Sequence, residues 1–68
     1  MKRIKLVYTV DKIAYWIPFE DVGVYFRKVG EIYTKVFIRG LNQAIYVDET
    51  PAQISKTLKA DVVLPQDL

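Results

Sequence analysis

Five short segments with the composition of β-strands follow one another along most of the sequence. Each is rich in Val, Ile, Tyr, Phe or Trp, and only a few residues connect it to the next. Parallel pairing needs a long crossover, so connections this short favour an antiparallel meander. The segments cover residues 3–8, 12–17, 22–29, 33–39 and 44–48. We expect a mainly β (α+β) fold: a small antiparallel five-stranded meander sheet or open barrel with one C-terminal α-helix.

A helix is indicated after the last of these segments. Thr50 is suited to cap it, Pro51 suits the first helical position, and Gln53 is placed to complete a capping box. Ile54 and Leu58 lie four residues apart and form its apolar stripe. A helix of about ten residues is marginal in isolation. We therefore expect this stripe to dock on the sheet.

The size of the chain limits how it is stabilised. It has 68 residues, with no Cys and no His. This length supports one hydrophobic core, so we expect a single domain over residues 1–60 and a C-terminal tail, 61–68. Small domains usually need a disulfide, a metal site or a partner subunit, and the first two require residues that are lacking here. With 51% hydrophobic residues, the sequence predicts a homo-oligomer.

Alternation along the fourth segment separates the two sides of the sheet. The side chains at its even positions lie on the same side of the sheet as the aliphatic residues of the neighbouring strands. We assign this side to the core: Val22, Val24, Phe26, Thr34, Val36, Ile38, Ile45 and Val47. The opposite side combines aromatic rings with cations. It forms the predicted binding face for a partner or a nucleic acid: Tyr25, Arg27, Tyr33, Lys35, Phe37, Arg39 and Tyr46.

The separation of the two sides depends on the register of the third and fourth strands, because a slip by one residue exchanges the faces of a strand. A two-residue turn would mix them, whereas a three- or five-residue connection keeps them apart. We favour five residues, 28–32, because a three-residue loop would pair the like charges of Arg27 and Lys35. This connection sets Tyr25 opposite Lys35. It also sets Arg27 opposite Tyr33, so that aromatic rings lie beside cations.

Few residues suit catalysis. Ser55 is the only Ser, and without His nothing activates it as a nucleophile. The carboxylates occur as adjacent pairs, Glu20-Asp21 and Asp48-Glu49, whose members point opposite ways on a strand. We expect no enzyme activity, no catalytic residue and no metal site.

The three glycines are too dispersed to form a phosphate-binding loop. Gly23 indicates an irregularity within a strand, and Gly30 and Gly40 indicate turns. We expect no bound cofactor.

The predicted binding face allows more than one function. Contact with a sister subunit or another protein uses aromatic rings and the apolar stems of Lys and Arg. The same residue types stack bases and neutralise phosphates, so binding of RNA or single-stranded DNA is an alternative. Sequestration of a nucleotide signal is another. Trp16 is predicted to lie in the core or in a subunit contact. The net charge of +2 is only weak support for nucleic-acid binding.

The sequence shows no sign of a membrane segment. No apolar run approaches the roughly 20 residues that span a bilayer. The apolar stretch near the N-terminus is interrupted by Lys5, and no small-residue cleavage site follows it. We expect no membrane partner and a location in the cytoplasm, either bacterial or of a phage-infected host cell.

Four segments have the order seen in a known family. They are Ile4-Lys5-Leu6, Ile17-Pro18, Thr34-Lys35-Val36-Phe37-Ile38-Arg39-Gly40 and Tyr46-Val47-Asp48-Glu49-Thr50-Pro51-Ala52-Gln53-Ile54. Over residues 1–59 the chain resembles the small flagellar and swarming-motility (FlbD-like) proteins and related short proteins of bacteria and phages. The resemblance implies an antiparallel sheet with a C-terminal helix, no known catalytic residues and an adaptor-like role. Our hypothesis is a non-enzymatic binding, adaptor or regulatory protein of bacterial or phage origin that self-associates.

Overall fold

The structure, a computed structural model, describes residues 2–59. In chain order the elements are β1 (Arg3–Val7), β2 (Ala14–Pro18), a 3₁₀ helix (Phe19–Asp21), β3 (Val22–Phe26), β4 (Thr34–Ile38), β5 (Ile45–Val47) and α1 (Pro51–Leu58). The predicted strands and the predicted helix are all present, although β3 ends at Phe26 rather than at residue 29. The predicted tail, 61–68, lies outside the described residues.

The fold is mainly β, as predicted, but the strands form two antiparallel sheets instead of one meander. One sheet is the β1–β2 hairpin, and the other has the order β3-β4-β5. Pro18 has no N–H group, and the 3₁₀ helix that follows turns the chain, so β2 does not continue into a ladder with β3. The sheets meet beyond the end of β1, where Tyr8 and Val47 form an isolated antiparallel bridge.

One hydrophobic core receives side chains from both sheets and from α1. Its buried members are Ile4, Leu6, Val36, Ile38, Val47 and Ile54. Thr34 is buried beside them, and its hydroxyl donates a hydrogen bond to the carbonyl of Glu49. The regular alternation of β4 therefore assigns Thr34, Val36 and Ile38 correctly to the core.

Strand β3 contains a bulge. Val22 lies opposite Ile38, as the predicted register requires, but beyond Gly23 the pairing shifts by one residue. A Cβ atom at Gly23 would lie 3.0 Å from the carbonyl oxygen of Phe37. This distance is too short for a comfortable contact, so glycine permits the close approach of the two strands. The predicted irregularity at Gly23 is confirmed.

The shift makes the predicted register wrong beyond the bulge. Tyr25 lies opposite Val36 instead of Lys35. Strand β3 then ends, before the predicted pair of Arg27 and Tyr33 can form. A bulge inserts one unpaired residue, and this has the same effect on the pairing as a slip of one position.

The same shift exchanges the sides of the β3 side chains. Val24 and Phe26, predicted for the core, are exposed. Tyr25, predicted for the binding face, packs against the core, and Arg27 donates a hydrogen bond to the buried Thr34. These four assignments are corrected by the structure.

The connection between β3 and β4 covers residues 27–33 rather than the predicted 28–32. Gly30 lies within it with φ of +90°, and Gly40 follows β4 with φ of +89°. Backbone with these positive φ values favours glycine, so both predicted turns are confirmed.

Helix α1 begins as predicted. The Gln53 N–H donates to Thr50 Oγ1 at 3.1 Å, and the Thr50 N–H donates to Gln53 Oε1 at 2.8 Å, which completes the capping box. Ile54 is fully buried and Leu58 packs against the same core, so the predicted docking is confirmed. The helix has eight residues, fewer than expected. Nowhere in residues 2–59 is a helix long and apolar enough to cross a membrane.

Candidate binding surface

The side of the three-stranded sheet that faces away from the core combines aromatic rings with one lysine. The register aligns Phe26, Lys35 and Tyr46 in one row across β3, β4 and β5. Phe37 lies on the same side of β4 as Lys35, and the ring of Tyr33 contacts that of Tyr46. We call these five residues the outer sheet face.

Ring contacts organise the aromatic residues of this face into two pairs. The rings of Phe26 and Phe37 are stacked with their centroids 6.5 Å apart. Those of Tyr33 and Tyr46 meet edge to face at 5.0 Å. The Lys35 Nζ lies 5.5 Å from the centroid of Phe37, within cation–π range. The aromatic rings therefore support one another in fixed orientations instead of projecting singly into water.

The outer sheet face is apolar for a solvent-facing surface. Phe26, Phe37 and Tyr46 are 38%, 41% and 40% exposed, and Val24 beside them on β3 is 65% exposed. Contiguous apolar surface of this kind typically marks an interaction site.

Charged side chains of both signs border this face, since the Glu31 carboxylate accepts a hydrogen bond from Tyr33. Lys35 lies on it, and Arg39, directly after β4, is exposed. Across residues 2–59 a single ion pair is formed, between Lys12 and Asp48 at 2.9 Å. Neither Lys35 nor Arg39 has a carboxylate partner among these residues, so both charges are open to a ligand or a partner.

The phenol of Tyr33 is tied to the loop before β4. Its hydroxyl donates to Glu31 Oε2 at 3.0 Å. This hydrogen bond, together with the negative charge of the carboxylate, raises the pKa of the Tyr33 phenol. The hydrogen bond to Glu31 holds the ring of Tyr33 at the margin of the outer sheet face.

Two of the seven predicted binding residues lie elsewhere. The Arg27 guanidinium donates to Thr34 Oγ1 and to the carbonyl of Asp48, both at 3.1 Å, and so joins β4 to the end of β5. The hydroxyl groups of Tyr25 and Ser55 are 2.7 Å apart, so Tyr25 joins β3 to α1. Both residues act within the fold.

Sequence analysis missed Phe26 and Val24 as members of this surface. The signal that could have found them is Gly23 between two apolar residues, since a glycine inside a strand often marks a bulge. Trp16 was predicted for the core or a subunit contact. At 62% exposure it does not belong to the core.

A groove of about 560 Å³ lies between the hairpin and α1. Arg3, Lys5 and Trp16 line it on the hairpin side, and Gln53 and Thr57 line it on the helix side. The Thr57 hydroxyl in this lining donates a hydrogen bond to the carbonyl of Gln53 at 3.1 Å. The adjacent carboxylates that follow β5, Asp48 and Glu49, line it as well.

Both of those carboxylates are engaged by the fold. Glu49 Oε1 accepts a hydrogen bond from the Val7 N–H at 3.0 Å. Asp48 accepts hydrogen bonds from Lys12 and Thr9, each at 2.9 Å, and these lower the pKa of the Asp48 carboxyl. The pair links the hairpin to β5. In the part of the chain that the structure describes, no three acidic residues converge to hold a metal ion.

The chain matches no family model, no curated protein and no solved structure. Its function is therefore inferred from the surfaces described above.

Proposed function

We propose that the protein is a non-enzymatic binding protein, an adaptor or regulator, that works as a homo-oligomer and contacts a protein partner through the outer sheet face. One observation carries the proposal. Within residues 2–59, six hydrophobic side chains form the buried core, whereas eleven large ones are exposed. Monomeric proteins rarely expose large contiguous apolar patches, and clusters of exposed apolar residues such as those on the outer sheet face and the hairpin are typical of protein contacts.

The exposed apolar residues fall into groups. One group lies on the outer sheet face with Val24, and another lies on the hairpin at Ile13, Tyr15 and Trp16. The others lie outside the strands: Val10, Val29, Ile32 and Leu41. Two separate apolar surfaces support a protein that joins copies of itself and also binds a partner.

The chemistry of the outer sheet face favours a particular kind of partner. Its aromatic rings supply rigid apolar contact area, as interface residues commonly do. Among residues 2–59, Lys35 and Arg39 form no ion pair, whereas the Glu31 carboxylate lies at the Tyr33 margin of the face. The partner surface that fits is apolar and bordered by carboxylates.

Nucleic-acid binding is less well supported by the positions of the cations. Arg27, which the sequence placed on the binding face, is held in hydrogen bonds to Thr34 and Asp48. Of the three cations predicted for the binding face, only Lys35 and Arg39 then remain available to contact a nucleic acid. Single-strand binding proteins line a groove with cations along the path of the backbone.

Self-association is tested by analytical ultracentrifugation at micromolar concentration. We expect a mass that is a multiple of the 7.9 kDa chain. A stable monomer would overturn the proposal, because the exposed apolar surface would then remain uncovered in solution.

The role of the outer sheet face is tested by photo-cross-linking. A photoreactive phenylalanine analogue replaces Phe37 on the face or Val29 in the loop, and the cross-linked partner is identified. The purified partner is then titrated against the wild type, Phe37→Ser and Val29→Ser. We expect the partner to bind Phe37→Ser at least about tenfold more weakly than the wild type, since truncating a central aromatic residue is costly. Val29→Ser should bind normally. Equal affinities for both variants would overturn the assignment of this face.

Fluorescence anisotropy with mixed-sequence RNA and single-stranded DNA tests the nucleic-acid alternative. We expect no binding at low salt. Binding that weakens steeply with salt and is lost in Lys35→Ala/Arg39→Ala, but not in Lys28→Ala, would replace the proposal with nucleic-acid binding. A thermal shift with one member of a nucleotide panel would instead indicate nucleotide sequestration.

A further inference from the structure

Strand β2 is the outer strand of the hairpin and carries no charged side chain. Among residues 2–59 it pairs only with β1. The seven residues from Ile13 to Phe19 are all uncharged. Ile13 and Trp16 are 53% and 62% exposed, and Ala14 and Tyr15 are exposed as well. The open edge of β2 is therefore apolar on both faces of the strand.

The hydrogen bonds of the hairpin identify which main-chain groups lie on this edge. The Tyr8 N–H donates to the Ile13 carbonyl at 3.0 Å, and the Phe19 N–H donates to the Lys2 carbonyl at 3.0 Å. Successive residues of an antiparallel strand bond to opposite sides. The main-chain groups of Ala14 and Trp16 therefore point away from β1, and no other element of residues 2–59 pairs with them.

An edge of this kind is unusual in a protein that stays monomeric. Natural edge strands are commonly protected by a charged side chain, a bulge or a proline. On the other sheet, the edge strand β3 is interrupted by its bulge at Gly23. Strand β2 has a regular register and only Pro18 at its end.

We infer that β2 pairs with β2 of a second copy of this chain, antiparallel about a two-fold axis at Tyr15. The inference rests on the proposed function, since it names the contact through which the homo-oligomer forms. The two hairpins then join into one continuous sheet with the order β1-β2-β2-β1. A two-fold contact of this type is closed and stops at the dimer.

Side-chain complementarity favours this register. With Tyr15 opposite Tyr15 of the second copy, the small Ala14 lies opposite the large Trp16 of the second copy, and Ile13 lies opposite Ile17. No charged residue lies opposite another within this stretch. The edge is therefore complementary to itself in size and in polarity.

The main chain fits the same arrangement. Ala14 and Trp16 of each copy exchange hydrogen bonds through the groups that point away from β1. Pro18 has no N–H to contribute and ends the pairing. The contact covers Trp16, Tyr15 and Ile13, three of the large exposed hydrophobic residues.

Disulfide trapping tests the register directly, because the chain has no Cys of its own. Residues opposite each other in a non-hydrogen-bonded antiparallel pair have Cα atoms about 4.5 Å apart, within the roughly 4.4–6.8 Å range of disulfides. We expect Tyr15→Cys to oxidise to a covalent dimer at micromolar concentration. Val29→Cys, in a fully exposed loop position, should remain largely reduced under the same conditions.

Ultracentrifugation of charged variants gives an independent test. Trp16→Lys places two lysines at the contact and should reduce the wild-type dimer to a monomer at equal concentration. Val24→Lys changes a residue of similar exposure on the other sheet and should leave the dimer intact. Circular dichroism establishes that each variant is folded.

The outcomes separate this inference from the proposed function. A monomeric wild type would overturn both. An oligomeric wild type whose mass is unchanged in Trp16→Lys, with no preferential oxidation of Tyr15→Cys, would overturn the β2 contact and leave the proposed function standing. Preferential oxidation of Trp16→Cys instead of Tyr15→Cys would overturn the register argued here.

Discussion

Strands β3 and β4 lie side by side in one sheet, yet the alternation of their sequences predicts side-chain burial correctly only in β4. Along β4 every second side chain is buried: Thr34, Val36 and Ile38. Strand β3 also alternates in sequence, but its exposed residues include Val24 and Phe26, and the polar Arg27 that follows turns inward. The difference arises at Gly23, where β3 gains one residue relative to β4.

This comparison shows where the alternation of residues along a strand can be used to assign side chains to the two faces of a sheet. The period of two in a strand specifies a face only while the pairing is uninterrupted. One bulge reverses the assignment of every later residue in the strand. Four sets of substitutions test whether β3 and β4 differ in the way described.

Two valine substitutions should have the largest and most unequal effects. Val36→Ala on β4 removes fully buried methyl groups and should lower the free energy of unfolding by about 2–3 kcal/mol. Val24→Ala on β3 should lower it by less than about 1 kcal/mol, because this side chain is exposed. Urea denaturation of both variants at one protein concentration measures the difference. Equal losses would mean that Val24 is buried too and that β3 has no bulge.

Replacing the inward-turning arginine should have the next largest effect. Arg27→Ala removes hydrogen bonds to Thr34 and to the carbonyl of Asp48, and we expect a loss of about 1.5–3 kcal/mol. Lys28→Ala is the matched control, since Lys28 is exposed in the adjacent position. If both variants were equally stable in denaturation, Arg27 would lie on the outer side, as the unbroken alternation predicts.

The bulge itself is tested at Gly23. A methyl group there meets the Phe37 carbonyl oxygen, so we expect Gly23→Ala to lower stability by about 1–2 kcal/mol and Gly23→Val to lower it further. Where a glycine has no such contact, its replacement by alanine usually raises the stability of the protein by about 0.4–1 kcal/mol. Thermal denaturation of Gly23→Ala measures whether stability falls or rises. A rise in stability would contradict the close approach of the two strands.

The smallest effect is expected at the contact between β3 and α1. Tyr25→Phe removes the hydroxyl that lies 2.7 Å from Ser55 Oγ and should cost about 0.5–1.5 kcal/mol. A double-mutant cycle with Ser55→Ala should give a coupling energy of similar size. Tyr46→Phe, on the outer sheet face, is the control. No coupling between positions 25 and 55 would show that the two hydroxyls do not interact.

Much of the fold was predictable because its signals are local. The capping box of Thr50 and Gln53 and the stripe of Ile54 and Leu58 depend on residues at most eight positions apart in the chain. The strands and the turns at Gly30 and Gly40 are likewise indicated by composition and nearby glycines. These elements were recognised because neighbouring residues alone specify them.

The candidate binding surface was predicted only in part. Tyr33, Lys35, Phe37 and Tyr46 were identified from the alternation of β4 and β5, which the structure retains. Phe26 was missed because its side depends on a close contact between Gly23 and another strand. A sequence does not display such a contact.

The sequence by itself determined a mainly β chain with a capped helix, the core side of β4 and the absence of Cys and His. Tertiary structure decided the division into two sheets, the side taken by Arg27, and the exposure of Trp16 on a strand edge that no other element of residues 2–59 covers. The physical reason is the range of the forces involved. Propensity, capping and turn geometry act within a few residues, whereas register and sheet membership depend on packing between residues distant in the chain.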